Sequence, residues 1–239
     1  MKINFLYPLF LFLLITYCKK EDEVEPPRDF QEQAIDDEKK LVDFLSSHFY
    51  NYEEFQDSES QPDLVFDSLI PSNSEKTPLI DQVKKKLVPV ITPGGLIVNH
   101  PIYTLIVREG NGQSPSKADS TYVSYEGLLL NNTRFDRSYT PIWFDLTSVV
   151  KGFREGMPDL KSGEFTVDKN NVTTFNNYGQ GAIFMPSGLG YFGSSTGSIP
   201  EYSPLIFKIN LYLVRQTDHD GDGILSRDEY DNDNDGIPD

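Results

Sequence analysis

Residues 148–160 read Ser-Val-Val-Lys-Gly-Phe-Arg-Glu-Gly-Met-Pro-Asp-Leu. The apolar positions Val149, Val150, Phe153, Met157 and Leu160 recur at three- and four-residue spacing, which places them on one face of a helix. Thr147 and Ser148 are candidate N-caps, because a hydroxyl there accepts from a first-turn amide that has no partner inside the helix. Pro158 predicts an end near Met157. On either side the chain reads as strands, at 120–130 and 141–146 before the helix and at 182–185 and 204–214 after it. A short helix among antiparallel strands has to bury its apolar stripe on a sheet. The space between helix and sheet is where function is to be sought.

Working outward toward the N-terminus, residues 30–55 turn helical: Ala34, Leu41, Phe44, Leu45, Phe49 and Tyr52 fall at mostly helical intervals, and Asp36, Asp37 and Glu38 suit the start of a helix dipole. His48 reads as a satisfied helical histidine, since no second His or Cys lies near it. Residues 57–75 are rich in Ser, Asp and Pro, a loop with at most a short strand at 64–66. A second short helix is expected over 79–87, then a hairpin over 88–98 turning at Pro93-Gly94-Gly95. The β-branched run 102–107 opens the compact domain, which extends to about residue 216, close to the commonest domain size.

The ends of the chain carry different signals. Met1-Lys2 and the apolar run 5–15 form a secretory signal, too short for a comfortable membrane span, and Thr16-Tyr17-Cys18 stands where a bacterial lipoprotein signal is cut before its lipidated cysteine. Cys18 is the single cysteine among 239 residues, so no disulfide forms within the chain. Residues 19–29 are a charged tether with Pro26-Pro27 near its end, and their acidic run resembles the tethers of Bacteroidetes surface lipoproteins. Export is implied, as an outer membrane lipoprotein on the periplasmic side or the cell surface, with Cys18 as lipid anchor. The chain has 21 Lys plus Arg against 37 Asp plus Glu, a formal charge of -16. Half of that excess lies in residues 218–239, and no clustered basic surface of the kind nucleic acid needs is present.

That acidic tail has a pattern of its own. Asp218, Asp220, Asp222, Ile224 through its backbone, Ser226 and Glu229 fall at the first, third, fifth, seventh, ninth and twelfth places of a calcium loop, with Gly223 at the sixth. Calcium needs several hard oxygens whose combined charge offsets its dehydration, and this spacing wraps them around one ion. Asp231, Asp233 and Asp235 repeat the opening of the loop. The pair looks like the aspartate-rich calcium repeats of thrombospondin type 3, and Ca²⁺ is the expected ligand.

Within the compact domain, Gly110-Asn111-Gly112, Val123-Ser124-Tyr125-Glu126-Gly127, Arg134-Phe135-Asp136, Pro141-Ile142-Trp143-Phe144, Val149-Val150-Lys151-Gly152-Phe153, Leu189-Gly190-Tyr191, Ile199-Pro200 and Leu205-Ile206-Phe207 follow one another in an order that resembles the FKBP-type peptidyl-prolyl isomerases. The resemblance covers about 103–214, somewhat under half of the chain. It implies an α+β fold, a half-wrapped antiparallel sheet with one short helix across its concave face, preceded here by a helical N-terminal segment.

The divisions expected are a signal peptide at 1–17, a tether at 18–29, a helical and hairpin segment at 30–100, the FKBP-like domain at 101–216 and the calcium tail at 217–239. The resemblance further implies an aromatic pocket with Phe153 as floor, where Trp is usual in the family. Tyr125, Phe135, Ile142 and Phe207 would be its walls, Val149 and Val150 its mouth, and Asp136 its polar wall. Tyr191 would offer a hydroxyl to the substrate backbone, and Ile199 belongs to the same set. Phe192 stands as an alternative to Tyr191, and Trp143 to Ile142 if the strand slips by one residue. The segment 161–181 reads as an enlarged hairpin or flap.

Such a pocket suits prolyl isomerisation without a cofactor. The barrier, roughly 18–20 kcal/mol, comes from amide resonance, and gripping the ring, excluding water and favouring the twisted amide lowers it without nucleophile or metal. The function implied is a peptidyl-prolyl cis-trans isomerase and folding helper for exported proteins, acting on proline-containing peptides or proteins. Two alternatives stand beside it: a non-catalytic FKBP-like binding module of a calcium-stabilised surface lipoprotein, and a calcium-stiffened spacer. A pocket blocked or reshaped by Phe192, Trp143 or the 161–181 flap would mark the binding module.

Overall fold

The computed structural model describes residues 27–56 and 61–229. Cys18, the signal segment and Asp231, Asp233 and Asp235 lie outside these residues. In chain order the regular elements are α1 (Phe30–Ser47), β1 (His48–Tyr50), β2 (Phe66–Ser68), β3 (Val83–Ile91), β4 (Ile97–Arg108), β5 (Ser120–Leu129), β6 (Arg134–Asp145), α2 (Lys151–Gly156), β7 (Glu164–Val167), β8 (Thr173–Asn176), β9 (Gly179–Met185) and β10 (Leu205–Arg215). Six strands form one antiparallel sheet in the order β3-β4-β9-β10-β5-β6. β1 with β2, and β7 with β8, make two small ribbons. Among the described residues no helix is long and apolar enough to cross a membrane.

The sheet is covered on both faces, and strand alternation decides what faces where. On β9, Ile183 and Met185 join the core beneath α2, while Ala182 and Phe184 join the core beneath α1. On β10, Leu205, Phe207 and Ile209 face α2 and Ile206 faces α1. α1 is fixed at its start by Asp29, whose side chain accepts from the Gln31 and Glu32 amides. It buries Ala34, Leu41, Phe44 and Leu45 on the sheet. α2 sits directly against β9 at two glycines. A Cβ on Gly152 would meet the Met185 side chain at 2.5 Å, and one on Gly156 would meet Ile183 at 2.5 Å. Glycine at these two positions is what lets a six-residue helix seat directly on β9.

Several local expectations are corrected. α1 ends at Ser47 rather than near residue 55. His48 leaves the helix to begin β1, its ring stacked on Phe44 at 4.0 Å. The short strand expected at 64–66 forms at Phe66–Ser68, where it pairs with β1. The second helix expected over 79–87 is a single 3-10 turn, Leu79–Asp81, followed by β3. Nine residues of β3 pair with β4, and the hairpin turns where Thr92 donates its amide to Leu96 and Gly95 takes φ 79°.

The boundary expected at residue 100/101 falls inside β4, so the sheet takes in the hairpin of the preceding segment. α2 is also shorter than the 148–160 stripe. Its N-cap is Val150, while Asp145 caps the preceding 3-10 turn through the Thr147 amide, displacing the expected caps Thr147 and Ser148. Pro158 sits in a closing 3-10 turn, Met157–Asp159.

Candidate functional site

A cleft of about 540 Å³ opens between α2 and the concave face of the sheet, within the range of small-molecule and peptide pockets. Its floor is Phe153, 2% exposed, with Phe207 beside it on β10. The two rings meet edge to face at 5.2 Å and 87°. Phe144 closes the same corner against Phe153 at 5.7 Å and 87°, and Phe135 against Phe207 at 5.5 Å and 84°. Edge-to-face contacts of this kind suit the opposite charge of ring edge and ring face. They also hold each ring against a neighbour.

Phe135 stands on β6 over Gly127 of β5, where a Cβ would strike its ring at 2.5 Å. Tyr125 closes the wall, 5.3 Å from Phe144, and its hydroxyl donates to Asp136 Oδ2 at 2.5 Å. Burial first, and then that bond, push the Tyr125 hydroxyl well above the ordinary tyrosine range, so it stays a donor at any working pH. Val149 and Val150 form the helix-side rim. Tyr191, Thr196, Gly197, Ser198 and Ile199, from the segment between β9 and β10, form the opposite wall. A tight turn holds that wall. The Thr196 and Ile199 amides donate to each other's carbonyls at 3.1 and 2.9 Å, and Gly197 has φ 58°.

The structure thus brings Tyr125, Phe135, Asp136, Val149, Val150, Phe153, Tyr191, Ile199 and Phe207 around one cleft. Ile142 does not line it, and Phe144 takes the place expected of it. The two share one face of β6, and the pairing beside them is irregular: Val123 pairs with Ile142 but Tyr125 with Ser138, so two extra β6 residues bulge out between them. Phe144 lay in the motif quoted above, and no spacing argument singled it out. Trp143 faces outward, 42% exposed, tilted against Tyr122 and beneath the Arg215 guanidinium. Of the Tyr191–Phe192 pair, Tyr191 faces the cleft, and Phe192 stacks on Phe30 instead. The 161–181 segment is a hairpin, β7–β8, whose Phe175 packs on Tyr122 and Tyr212 rather than over the cleft.

The acidic loop is only half assembled for a metal. Carboxylate oxygens of Asp218, Asp220 and Asp222 lie within 4.8 Å of one another, and Gly223 takes φ 95°, the bend that the sixth place demands. Asp218 accepts from the Gly221 and Gly223 amides, which hold its carboxyl below the usual range. The donor set of hard oxygens fits calcium at these three places. Ser226, expected at the ninth place, instead turns inward: it is 1% exposed, and its hydroxyl accepts from the His219 amide at 3.0 Å. Glu229 is not part of the carboxylate group. His219 Nε2 lies 3.0 Å from Asp145 Oδ2, tying the loop to the turn that leads into Val149 and Val150.

Comparison with known proteins finds similarity over part of the chain. The family model described as FKBP-type peptidyl-prolyl cis-trans isomerase matches residues 111–212. The peptidyl-prolyl cis-trans isomerase Mip of Coxiella burnetii is 33% identical over 128 residues, covering 52% of this chain and 49% of that protein. The FKBP-type peptidyl-prolyl cis-trans isomerase FkpA of Escherichia coli is 30% identical over 113 residues, 46% of this chain and 36% of that one. The outer membrane protein MIP of Legionella longbeachae is 28% identical over 128 residues, 52% of this chain and 48% of that one. The chain therefore matches half or less of the length of these relatives. Among solved structures, a peptidyl-prolyl cis-trans isomerase from Pseudomonas syringae pv. tomato covers 80% of this chain and 99% of its own at 18% identity and TM-score 0.46. The similarity to FKBP-type peptidyl-prolyl cis-trans isomerases is carried by residues 111–212, somewhat under half of the chain.

Proposed function

We propose that the chain is a peptidyl-prolyl cis-trans isomerase that assists the folding of exported proteins, with the cleft above Phe153 as its active site. The observation that carries the reading is an aromatic box that stands open: Phe192, Trp143 and the β7–β8 hairpin all face elsewhere. A prolyl ring seats between Phe135, Phe144, Phe153 and Phe207. The twisted amide of the transition state has lost its resonance and much of its dipole, so a dry aromatic wall favours it over the planar ground state. Asp136, oriented by the Tyr125 hydroxyl, is the polar group on this wall, and Tyr191 and the Val150 amide hold the substrate backbone. Each 1.36 kcal/mol by which the box favours the twisted form over the planar one is about tenfold in rate.

An exchange or protease-coupled assay on a short Xaa-Pro peptide tests this. Acceleration that falls in Phe153→Ala supports it; no acceleration overturns it, and peptide binding without acceleration assigns the cleft to a binding module.

The remaining parts extend the proposal. Lipidation of Cys18 anchors the chain to the cell envelope, in line with the Legionella relative's description as an outer membrane protein. Palmitate labelling of the expressed protein, lost in Cys18→Ser, checks it. The loop beginning at Asp218 binds Ca²⁺ through Asp218, Asp220 and Asp222, with the Ile224 carbonyl and, once Ser226 and Glu229 rearrange, their oxygens. Asp231, Asp233 and Asp235 form a second, incomplete site. Calorimetry with millimolar calcium gives heat if the assignment holds and none if the tail is only an acidic extension.

A further inference from the structure

We infer that α1, which lies outside the isomerase domain and on the opposite face of the sheet, positions Tyr191 and the wall that follows it. The inference rests on the proposed isomerase reading only where turnover is the readout. The wall belongs to the segment 186–204, and that segment is gripped from residues 28–37 at three points.

The first point is a buried carboxylate. Asp37 is fully buried, and its Oδ2 accepts from the Ser187 amide at 2.8 Å and the Ser187 hydroxyl at 2.5 Å. Its Oδ1 accepts from Gln33 Nε2 at 2.7 Å, with Lys40 Nζ at 3.6 Å. A buried carboxylate is tolerated only where donors are supplied, and half of these come from the segment that forms the cleft wall.

The second is an aromatic stack. Phe30 lies on Phe192 with ring centroids 4.4 Å apart and planes 5° from parallel. Phe192 has φ 47°, a left-handed conformation costly for an aromatic residue. That reversal sends Phe192 to α1 while its neighbour Tyr191 faces the cleft.

The third is Arg28, whose guanidinium sits 4.5 Å over the Tyr202 ring and whose amide donates to the Tyr202 hydroxyl at 3.1 Å. The three grips share one framework. The Phe192 amide donates to the Ser187 carbonyl at 2.9 Å and the Tyr202 amide to the Phe192 carbonyl at 2.7 Å. Loosening α1 therefore loosens the strained residue next to Tyr191, and the cleft loses the position of one hydroxyl rather than its aromatic floor.

Phe30→Ala and Asp37→Asn in the full chain test the role, with Phe30→Tyr as the conservative control. Global stability is measured by urea so that a folding loss is separated from a positioning loss. Misplacing a group by about 1 Å costs on the order of ten- to a hundredfold, so kcat/KM is expected to fall about tenfold in Phe30→Ala and to recover in Phe30→Tyr. Combined with Tyr191→Ala, Phe30→Ala adds little further loss, because both remove the same contribution. Combined with Tyr125→Phe, the two losses multiply.

Independently of turnover, amide exchange at Phe192 and Ser194 is expected to quicken at least about tenfold in Phe30→Ala while the β5 and β10 amides stay protected. Unchanged exchange at Phe192 and Ser194 overturns the inference. So does a Phe30→Ala loss that multiplies fully with Tyr191→Ala. A wild-type chain without isomerase activity overturns the proposed function instead, and exchange then decides the positioning role alone.

Discussion

The two faces of the sheet are built from the same residue types and end differently. On the α1 face an eighteen-residue helix covers the strands, and Phe44, Phe66 and Phe184 pack on one another beneath it. On the α2 face a six-residue helix touches down on β9 through Gly152 and Gly156 and stops. The rings of Phe135, Phe144, Phe153 and Phe207 are left holding one another around a cleft. Aromatic content therefore does not distinguish a core from a site. The length of the covering helix does.

The comparison is broken most severely by the same substitution on each face. Phe44→Ala leaves a cavity in a packed layer and should cost about 3–5 kcal/mol in urea unfolding, while molecules that remain folded keep their affinity for a proline peptide. Phe153→Ala removes the cleft floor, so its main effect is on turnover. A fall in kcat/KM of about 10–100-fold is expected, or about 1.4–2.7 kcal/mol of transition-state stabilisation. If Phe44→Ala abolishes turnover in the folded fraction, the two faces are not separable in this way.

Gly156→Ala tests the seat of α2 on β9. Its methyl meets Ile183, and overpacking of about 1–2 kcal/mol should appear in stability, together with an altered cleft seen as a changed peptide affinity. The smallest effect is in pH. His100 on β4 is buried, its ring nitrogens have no hydrogen-bond partner among the described residues, and Gly188 fits against its ring only because it lacks a Cβ. Burial lowers its pKa, an effect only partly offset by Asp37. The unfolded chain therefore binds a proton that the folded chain refuses once pH falls below about 6.5. Stability is expected to decline there as pH falls, by at most about 1.4 kcal/mol per pH unit. His100→Leu should remove that slope from urea titrations across pH 5–7.

Much of this was legible because the signals were local. The stripe from Val149 to Leu160 is amphipathic, and the ordered motifs from Tyr125 to Phe207 are each short and sequential; it is their resemblance to a known family, rather than any local signal alone, that proposes the cleft's floor and walls. What failed depended on distance or on register. The helix expected over 79–87 takes in the first five residues of β3, because Leu79, Ile80, Val83 and Leu87 fall at helical spacing and Lys84, Lys85 and Lys86 hide the strand's alternation. Only pairing with β4 decides otherwise.

Ile142 and Phe144 lie two residues apart on one face of β6, so face alternation does not choose between them; which one reaches the cleft depends on where along the strand the irregular β5–β6 pairing sets it, and that pairing leaves no mark in composition. Tyr191 and Phe192 could not be told apart, since the choice is made by Phe30, 162 positions earlier in the chain. The inward turn of Ser226 is equally non-local, because its partner His219 is in turn held by Asp145.

β3 and β6 are the outermost strands of the six, where unpaired backbone groups could invite another strand. Each carries a proline, Pro89 in β3 and Pro141 in β6, at a place where a central strand would tolerate none. β3 adds three consecutive lysines and β6 its bulge, both devices that discourage a further strand from joining. A further extended chain is therefore discouraged from pairing as a seventh strand at either edge.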